Sequence, residues 1–289
     1  MNDLQRIIWI SSYPKSGNTW MRSFLAHYMM PPGEAPDINN LRKFTTGDSR
    51  QDIFDAAAGK KFQAKNIDEW MEMRPKVLRL IAASKPNHHF VKTHCRAVRF
   101  VGKDLIPPEL TAAAIYIMRN PFDLSLSFAR HLSVDVDAAI ERMVDGDTMM
   151  TTKTGIIEAL GRWDDHIASW TTAPGLSCHV VRYEDLLAKP AKNFGLMLEK
   201  FLRLKVDKPK LARAVKATSF AAMKKQENDM GLFERPAGMK SFFNKGQAGV
   251  WRDELTPAQV GRIRQKFLTT LEKWYPEMLQ ETEEFAKGG

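Results

Sequence analysis

The chain has 289 residues, of which 44% are hydrophobic and 27% charged, and a formal net charge of +9 at pH 7. That length is enough to bury a substantial core, and the balance excludes both a disordered chain and a membrane span, since no apolar run approaches the roughly 20 residues a bilayer needs. Cys95 and Cys178, the two cysteines, form neither a disulfide framework nor a thiolate zinc site, and Lys and Arg are spread along the chain without like-charge blocks. This favours a small anionic ligand over nucleic acid or an anionic membrane.

The chain enters a strand almost at once, leaving no room for a signal peptide, so a cytoplasmic protein is expected. Arg6 to Ser12 reads as a short apolar strand. It runs through Tyr13-Pro14-Lys15-Ser16-Gly17-Asn18-Thr19 into a helical pattern over Thr19 to Met30, with Trp20, Phe24, Leu25 and Tyr28 at helical spacing. A helix N-terminus offers unpaired backbone N–H groups and a partial positive charge, a natural seat for phosphate. Lys15 adds a full charge, Ser16, Asn18 and Thr19 add short polar side chains, and Gly17 allows close approach. Taken alone, the stretch fits a phosphate site and an ordinary capped turn equally, because the pattern G-x-x-x-x-G-K-[ST] is absent.

Pro31 and Pro32 end that helix. Residues 33–46 are turn-rich, and Asp48 to Ala58 and Asp68 to Ala83 read as helices within a variable insertion. His89 to His94 is the second strand, and Ala112 to Met118 is a continuous apolar run of the kind buried on both faces of a parallel sheet. It leads through Arg119-Asn120 into Pro121, which suits the first turn of a helix, so strand, polar turn and helix occur a second time.

Val134 to Gly155 has weak periodicity and reads as a lid; Ile156 to Trp170 reads as one helix. Ser177 to Arg182 is a fourth strand, followed by Tyr183-Glu184-Asp185. Helices follow at Asn193 to Leu202, Pro209 to Ala217 and from Ser219, then a long loop over Asn228 to Val250, and a last helix at Pro257 to Trp274 before a polar tail. Met143, Met150, Phe233, Phe242 and Phe243 fall in the irregular segments, either lining an adaptable pocket or seating the loops on the core.

Strands alternating with helices at these intervals predict an α/β fold, a parallel central sheet flanked by helices. A single domain over residues 1–289 is expected, with variable loops near 31–75, 134–155 and 228–250. Ligands of such folds sit beyond the carboxyl ends of the strands. Lys15, His94, Arg119 and Tyr183 would then converge on one edge.

Several segments resemble one family in its own order, from about residue 8 to residue 252. Tyr13-Pro14-Lys15-Ser16-Gly17-Asn18-Thr19-Trp20 resembles the 5′-phosphosulfate loop of the cytosolic-type sulfotransferases. Arg119-Asn120-Pro121 through Ser127 resembles their 3′-phosphate motif, and Lys92-Thr93-His94 their catalytic-histidine strand. Tyr183-Glu184-Asp185, Thr218-Ser219-Phe220-Ala221-Ala222-Met223, and Phe243-Asn244-Lys245-Gly246 followed by Gly249-Val250-Trp251 resemble further segments.

The resemblance implies a P-loop-related fold that binds 3′-phosphoadenosine 5′-phosphosulfate (PAPS), moves its sulfuryl group to a hydroxyl or amine of a small-molecule acceptor, and releases the bisphosphate PAP, without a metal. It implies His94 as the general base, Lys15 as the cation on the leaving oxygen and Lys92 as a second cation. Arg119, Ser127, Asn244, Lys245 and Gly246 would hold the 3′-phosphate. Trp20 and Phe220 would sandwich the adenine, beside Thr218, Met223 and Tyr183, with Phe243 nearby.

Three departures stand out. The family has Arg where this chain has Asn244, with Arg235, Lys240 and Arg252 as candidates for the missing charge. It has Asp where this chain has Val250, which bears on how that loop closes. Its dimerisation motif near Arg252 to Arg262 is unmatched, which leaves the oligomeric state open. The competing readings are a kinase on a P-loop-like fold, expected to carry the full P-loop and a magnesium-binding carboxylate, and a non-catalytic nucleotide- or polyanion-binding protein.

Overall fold

A computed structural model describes residues 6–31, 33–235, 239 and 241–288. In chain order its strands are β1 (Ile7–Ser12), β2 (Thr46–Gly47), β3 (His89–Thr93), β4 (Arg99–Phe100), β5 (Lys103–Asp104), β6 (Thr111–Met118), β7 (Met149–Thr151), β8 (Ile157–Ala159) and β9 (Cys178–Arg182). The principal helices are α1 (Asn18–Met29), α2 (Gln51–Ala58), α3 (Ile67–Ala83), α4 (Pro121–Leu132), α5 (Val136–Val144), α6 (Trp163–Thr171), α7 (Tyr183–Ala188) and α8 (Pro190–Leu196). They continue as α9 (Lys208–Ala217), α10 (Phe220–Met230), α11 (Trp251–Glu254), α12 (Pro257–Trp274) and α13 (Leu279–Lys287).

The central sheet runs β2-β3-β1-β6-β9 with every neighbouring pair parallel, as the alternation of strands and helices predicts. Successive side chains of β1 and β6 enter opposite cores. Trp9 and Tyr116 pack on one face with Trp163 and Trp170, while Ile10, Ile115 and Ile117 pack on the other with Phe24, Leu25 and Phe194. Burial on both faces explains why these strands read as unbroken apolar runs. All four long strands therefore end on the same side, and the loops that follow them share one edge.

Local structure departs from the sequence expectations in four places. Residues 31–75 are more than a variable insertion, because β2 joins the central sheet; two residues are too few to display an alternating pattern. The expected lid at 134–155 contains α5, capped by Asp135, and one strand of the β7–β8 hairpin. The expected helix from Ile156 begins only at Trp163, because Ile157–Ala159 pairs with β7 and Gly161 turns the chain with φ 65°. The polar tail folds as α13, whose Phe285 packs edge-on against Trp251. Pro32 and Lys240 lie outside the described residues.

Candidate active site

The loop between β1 and α1 is shaped by two residues in left-handed conformation, Lys15 with φ 71° and Gly17 with φ 109°. A side chain at Gly17 would be strained at that φ, and its Cβ would lie 2.9 Å from Tyr183 Cδ2, so the glycine also lets the start of α7 close on the loop. For Lys15 the conformation is unfavourable, a local strain held by the surrounding fold. Asn18 ties the turn down by donating to the Ile10 carbonyl at 3.0 Å and to Ser12 Oγ at 3.4 Å.

Several polar atoms at this turn are buried without a hydrogen-bond partner among the described residues: Lys15 Nζ, Ser16 Oγ, the acceptor Asn18 Oδ1 and, on the neighbouring strand end, Arg119 Nε. Unpaired buried cations are costly, so the Lys15 ammonium and the Arg119 guanidinium facing the cavity mark a place built for an anion. The Lys15 ammonium stands 3.3 Å from the centroid of the Phe242 ring. Its pKa falls to about 7, first through burial and then through the neighbouring Arg119 guanidinium. Arg119 donates to the Lys15 carbonyl at 3.2 Å and lies 4.6 Å from the Tyr183 ring centroid. A cation at a helix start opposes the dipole; here the carbonyl and the ring face offset that.

His94 follows β3. Its Nδ1 lies 2.8 Å from the Ser12 carbonyl oxygen, which can only accept, so Nδ1 carries the hydrogen and Nε2 keeps its lone pair. Burial and the nearby Lys92 lower its pKa to about 3. The backbone behind it is fixed as well: His166 Nε2 donates to the His94 carbonyl at 3.0 Å and Tyr116 donates to His166 Nδ1 at 2.8 Å. Lys92 does not stand free, because its ammonium is 2.9 Å from the buried carboxylate of Glu158, which also accepts from Ser49 Oγ at 2.7 Å. Lys92 and His94 overcome the burial of Glu158 and hold its pKa near 2.

On the far side, Asp123 in the first turn of α4 accepts from Gly249 N at 2.7 Å and Trp251 N at 3.0 Å. That carboxylate fixes the 249–251 loop, so Val250 does not leave it unclosed. Gly246 presses against Phe220: a Cβ there would lie 2.1 Å from Phe220 Cδ2, at φ 61°. Trp20 meets Tyr183 and Phe194 edge to face at 5.8 and 5.7 Å.

These elements enclose a cavity of about 1160 Å³. Of the residues predicted for the site, Lys15, Gly17, Asn18, Thr19, Trp20, Lys92, His94, Arg119, Ser127, Tyr183, Thr218, Phe220, Met223, Phe243, Asn244, Lys245 and Gly246 all line it. Ser16 does not; it is buried beneath the turn. The Thr218 hydroxyl is already used by the Ala214 carbonyl at 2.8 Å. Arg252, a candidate for the charge missing at Asn244, points away and pairs with Glu281, while Arg235 lies 3.7 Å from Glu227. Met143 belongs to the core, whereas Met150, Phe233, Phe242 and Phe243 line the cavity.

Sequence reasoning missed Glu158, Arg22 and Glu234. The Glu234 carboxylate lies 2.9 Å from Arg22 and accepts from Thr19 Oγ1 at 3.3 Å, directly on the first turns of α1. Its segment is strapped across the cavity by Lys153, which donates to the carbonyls of Phe233 and Arg235 at 2.7 and 2.9 Å, and by Asn39. No local pattern signals these contacts, which join residues far apart in sequence. Among the described residues no group of three or more His, Cys, Asp or Glu side chains could hold a metal, and no helix is long and apolar enough to cross a membrane.

The family described as "Sulfotransferase domain" matches residues 5–275. Sulfotransferase 1A1 of Canis lupus familiaris is 24% identical over 284 residues, covering 91% of this chain and 82% of that protein. Sulfotransferase 1A1 of Rattus norvegicus is 25% identical over 283 residues, covering 91% and 83%. Among solved structures, mouse sulfotransferase SULT7A1 complexed with PAP aligns with a TM-score of 0.59 at 20% identity, over 98% of this chain and 90% of that one. Retinol dehydratase in complex with androsterone and PAP aligns with a TM-score of 0.64 at 18% identity, over 92% and 81%.

Proposed function

Because the chain belongs to the sulfotransferase family, we propose that it transfers the sulfuryl group of PAPS to a hydroxyl, or an amine, of a small-molecule acceptor, working as one domain in the cytoplasm. The observation that carries this reading is the convergence of Lys15, His94, Arg119 and Tyr183, from four strand ends, on one cavity with unpaired buried cationic and donor atoms. Those atoms suit a nucleotide with phosphate at both ends. The β1–α1 turn takes the 5′ end, Arg119, Ser127, Lys245 and the Gly246 backbone take the 3′-phosphate, and Trp20 and Phe220 flank the base.

The donor supplies an activated sulfuryl group with a good leaving phosphate. The acceptor oxygen bonds to sulfur as the bond from sulfur to the bridging phosphate oxygen breaks, in line. His94 Nε2 takes the acceptor proton: the fixed tautomer leaves its lone pair free, and the negative charges of the bound donor counter the burial that lowers its basicity in the free chain. Lys15 meets the charge that develops on the leaving oxygen. Lys92, paired with Glu158, is a weaker second cation than an unpaired lysine. The rest of the cavity wall mixes Ser49, Arg50, Gln51 and Lys153 with Leu132, Met150 and Phe233, which suits an acceptor with both an apolar body and a polar group.

A thermal-shift comparison of PAP, ATP with magnesium, and heparin tests the reading. Stabilisation by PAP is expected; stabilisation by ATP with magnesium but not by PAP would transfer the case to a kinase. Labelled-sulfate transfer screened over phenols, aliphatic alcohols, sugars and lipids then identifies the acceptor.

A further inference from the structure

We propose that Arg130 belongs to the 3′-phosphate pocket and supplies the guanidinium charge that position 244 lacks. This rests on the donor reading above and concerns how this chain meets a charge demand with a neutral Asn244 on the cavity wall.

Arg130 lies three residues after Ser127 on α4, which puts the two side chains on one helix face, and both line the cavity. Its NH1 is 3.2 Å from one oxygen of Glu254, while the Lys245 ammonium is 2.7 Å from the other. A cation from α4 and a cation from the 241–248 segment thus converge on a single carboxylate.

The Glu254 contacts do not tie Arg130 down. The Arg130 and Glu254 side chains are 35% and 31% exposed, and ion pairs at that exposure are weak and exchange readily. A phosphate dianion offers more charge and more acceptor oxygens than a carboxylate, and a guanidinium can fork onto two of them. Glu254 therefore serves as the counter-ion that keeps Arg130 and Lys245 together until the phosphate arrives.

The test is calorimetric titration of the full chain with PAP and with adenosine 5′-monophosphate, which lacks the 3′-phosphate. In Arg130→Met, PAP affinity is expected to fall about ten- to a hundred-fold while affinity for the monophosphate stays within about two-fold, which also shows that the variant is folded. Adding Asn244→Arg to Arg130→Met is expected to recover most of the loss for PAP alone. An unchanged PAP affinity, or equal losses for both nucleotides, would overturn the assignment of Arg130. A wild-type chain that binds PAP no better than the monophosphate overturns the donor reading itself, and the role of Arg130 with it.

Discussion

The hydrogen on His94 Nδ1 is claimed by the Ser12 carbonyl oxygen 2.8 Å away, the last backbone acceptor of β1 before the anion-binding turn. One strand end thus sets the tautomer of the residue at the end of its neighbour, and the nitrogen left with a lone pair is the one that can accept a proton.

Replacing His94 by Gln should remove the base while keeping the shape of the site. Sulfuryl transfer is expected to fall about a hundred- to ten-thousand-fold, with PAP affinity little changed. Steady-state rates and titration calorimetry on the same preparation check both halves; near-normal turnover would move the base elsewhere.

With its pKa lowered to about 7, Lys15 is largely neutral in the free protein above that pH. A bound phosphate favours the ammonium, so binding must take up a proton wherever free Lys15 has lost it. PAP affinity is therefore expected to weaken as pH rises above 7. Calorimetry at pH 8 in buffers of different ionisation enthalpy should report proton uptake, and Lys15→Met should abolish it.

Glu158 has its pKa held near 2 in the folded protein, below the ordinary carboxylate value. Its stabilising contribution is complete above the unfolded value near pH 4.5 and is lost as pH falls from there towards 2. Glu158→Gln leaves Lys92 without a counter-charge and is expected to cost about 1–3 kcal/mol at pH 7. Urea unfolding at pH 7 and at pH 3 should show that cost shrinking in acid.

The Glu234 carboxylate sits on Thr19 and Arg22, close to where the 5′ end of the donor is proposed to bind. Glu234→Gln removes a like charge from that place, so PAP should bind about two- to ten-fold more tightly, most visibly at low ionic strength. Stopped-flow binding measures this, and weaker binding would instead make the carboxylate part of the site.

Gly246→Ala would force a Cβ into the Phe220 ring at a backbone angle that alanine resists. Displacing that ring should weaken adenosine, and PAP more strongly because the Gly246 backbone is also proposed to hold the 3′-phosphate; titration with both ligands measures the difference.

Local chemistry written into the sequence determined much of this protein. The apolar runs of β1 and β6, the strand-to-helix turns at Gly17 and Pro121, and the amphipathic span from Pro257 to Trp274 depend on neighbours within a few residues, so periodicity and turn residues revealed them. The same order of elements placed Lys15, His94, Arg119 and Tyr183 at one sheet edge, because parallel strands end on one side. Tertiary structure alone decided which charges meet: Lys92 with Glu158, Arg22 with Glu234, and Arg130 and Lys245 on Glu254. The two-residue β2 and the Asp123 clasp on Gly249 and Trp251 belong with them. Apart from Lys245 with Glu254, nine residues apart, these contacts span tens to hundreds of residues, and their energy comes from the distances and burial that folding creates, which leave no trace in the spacing along the chain.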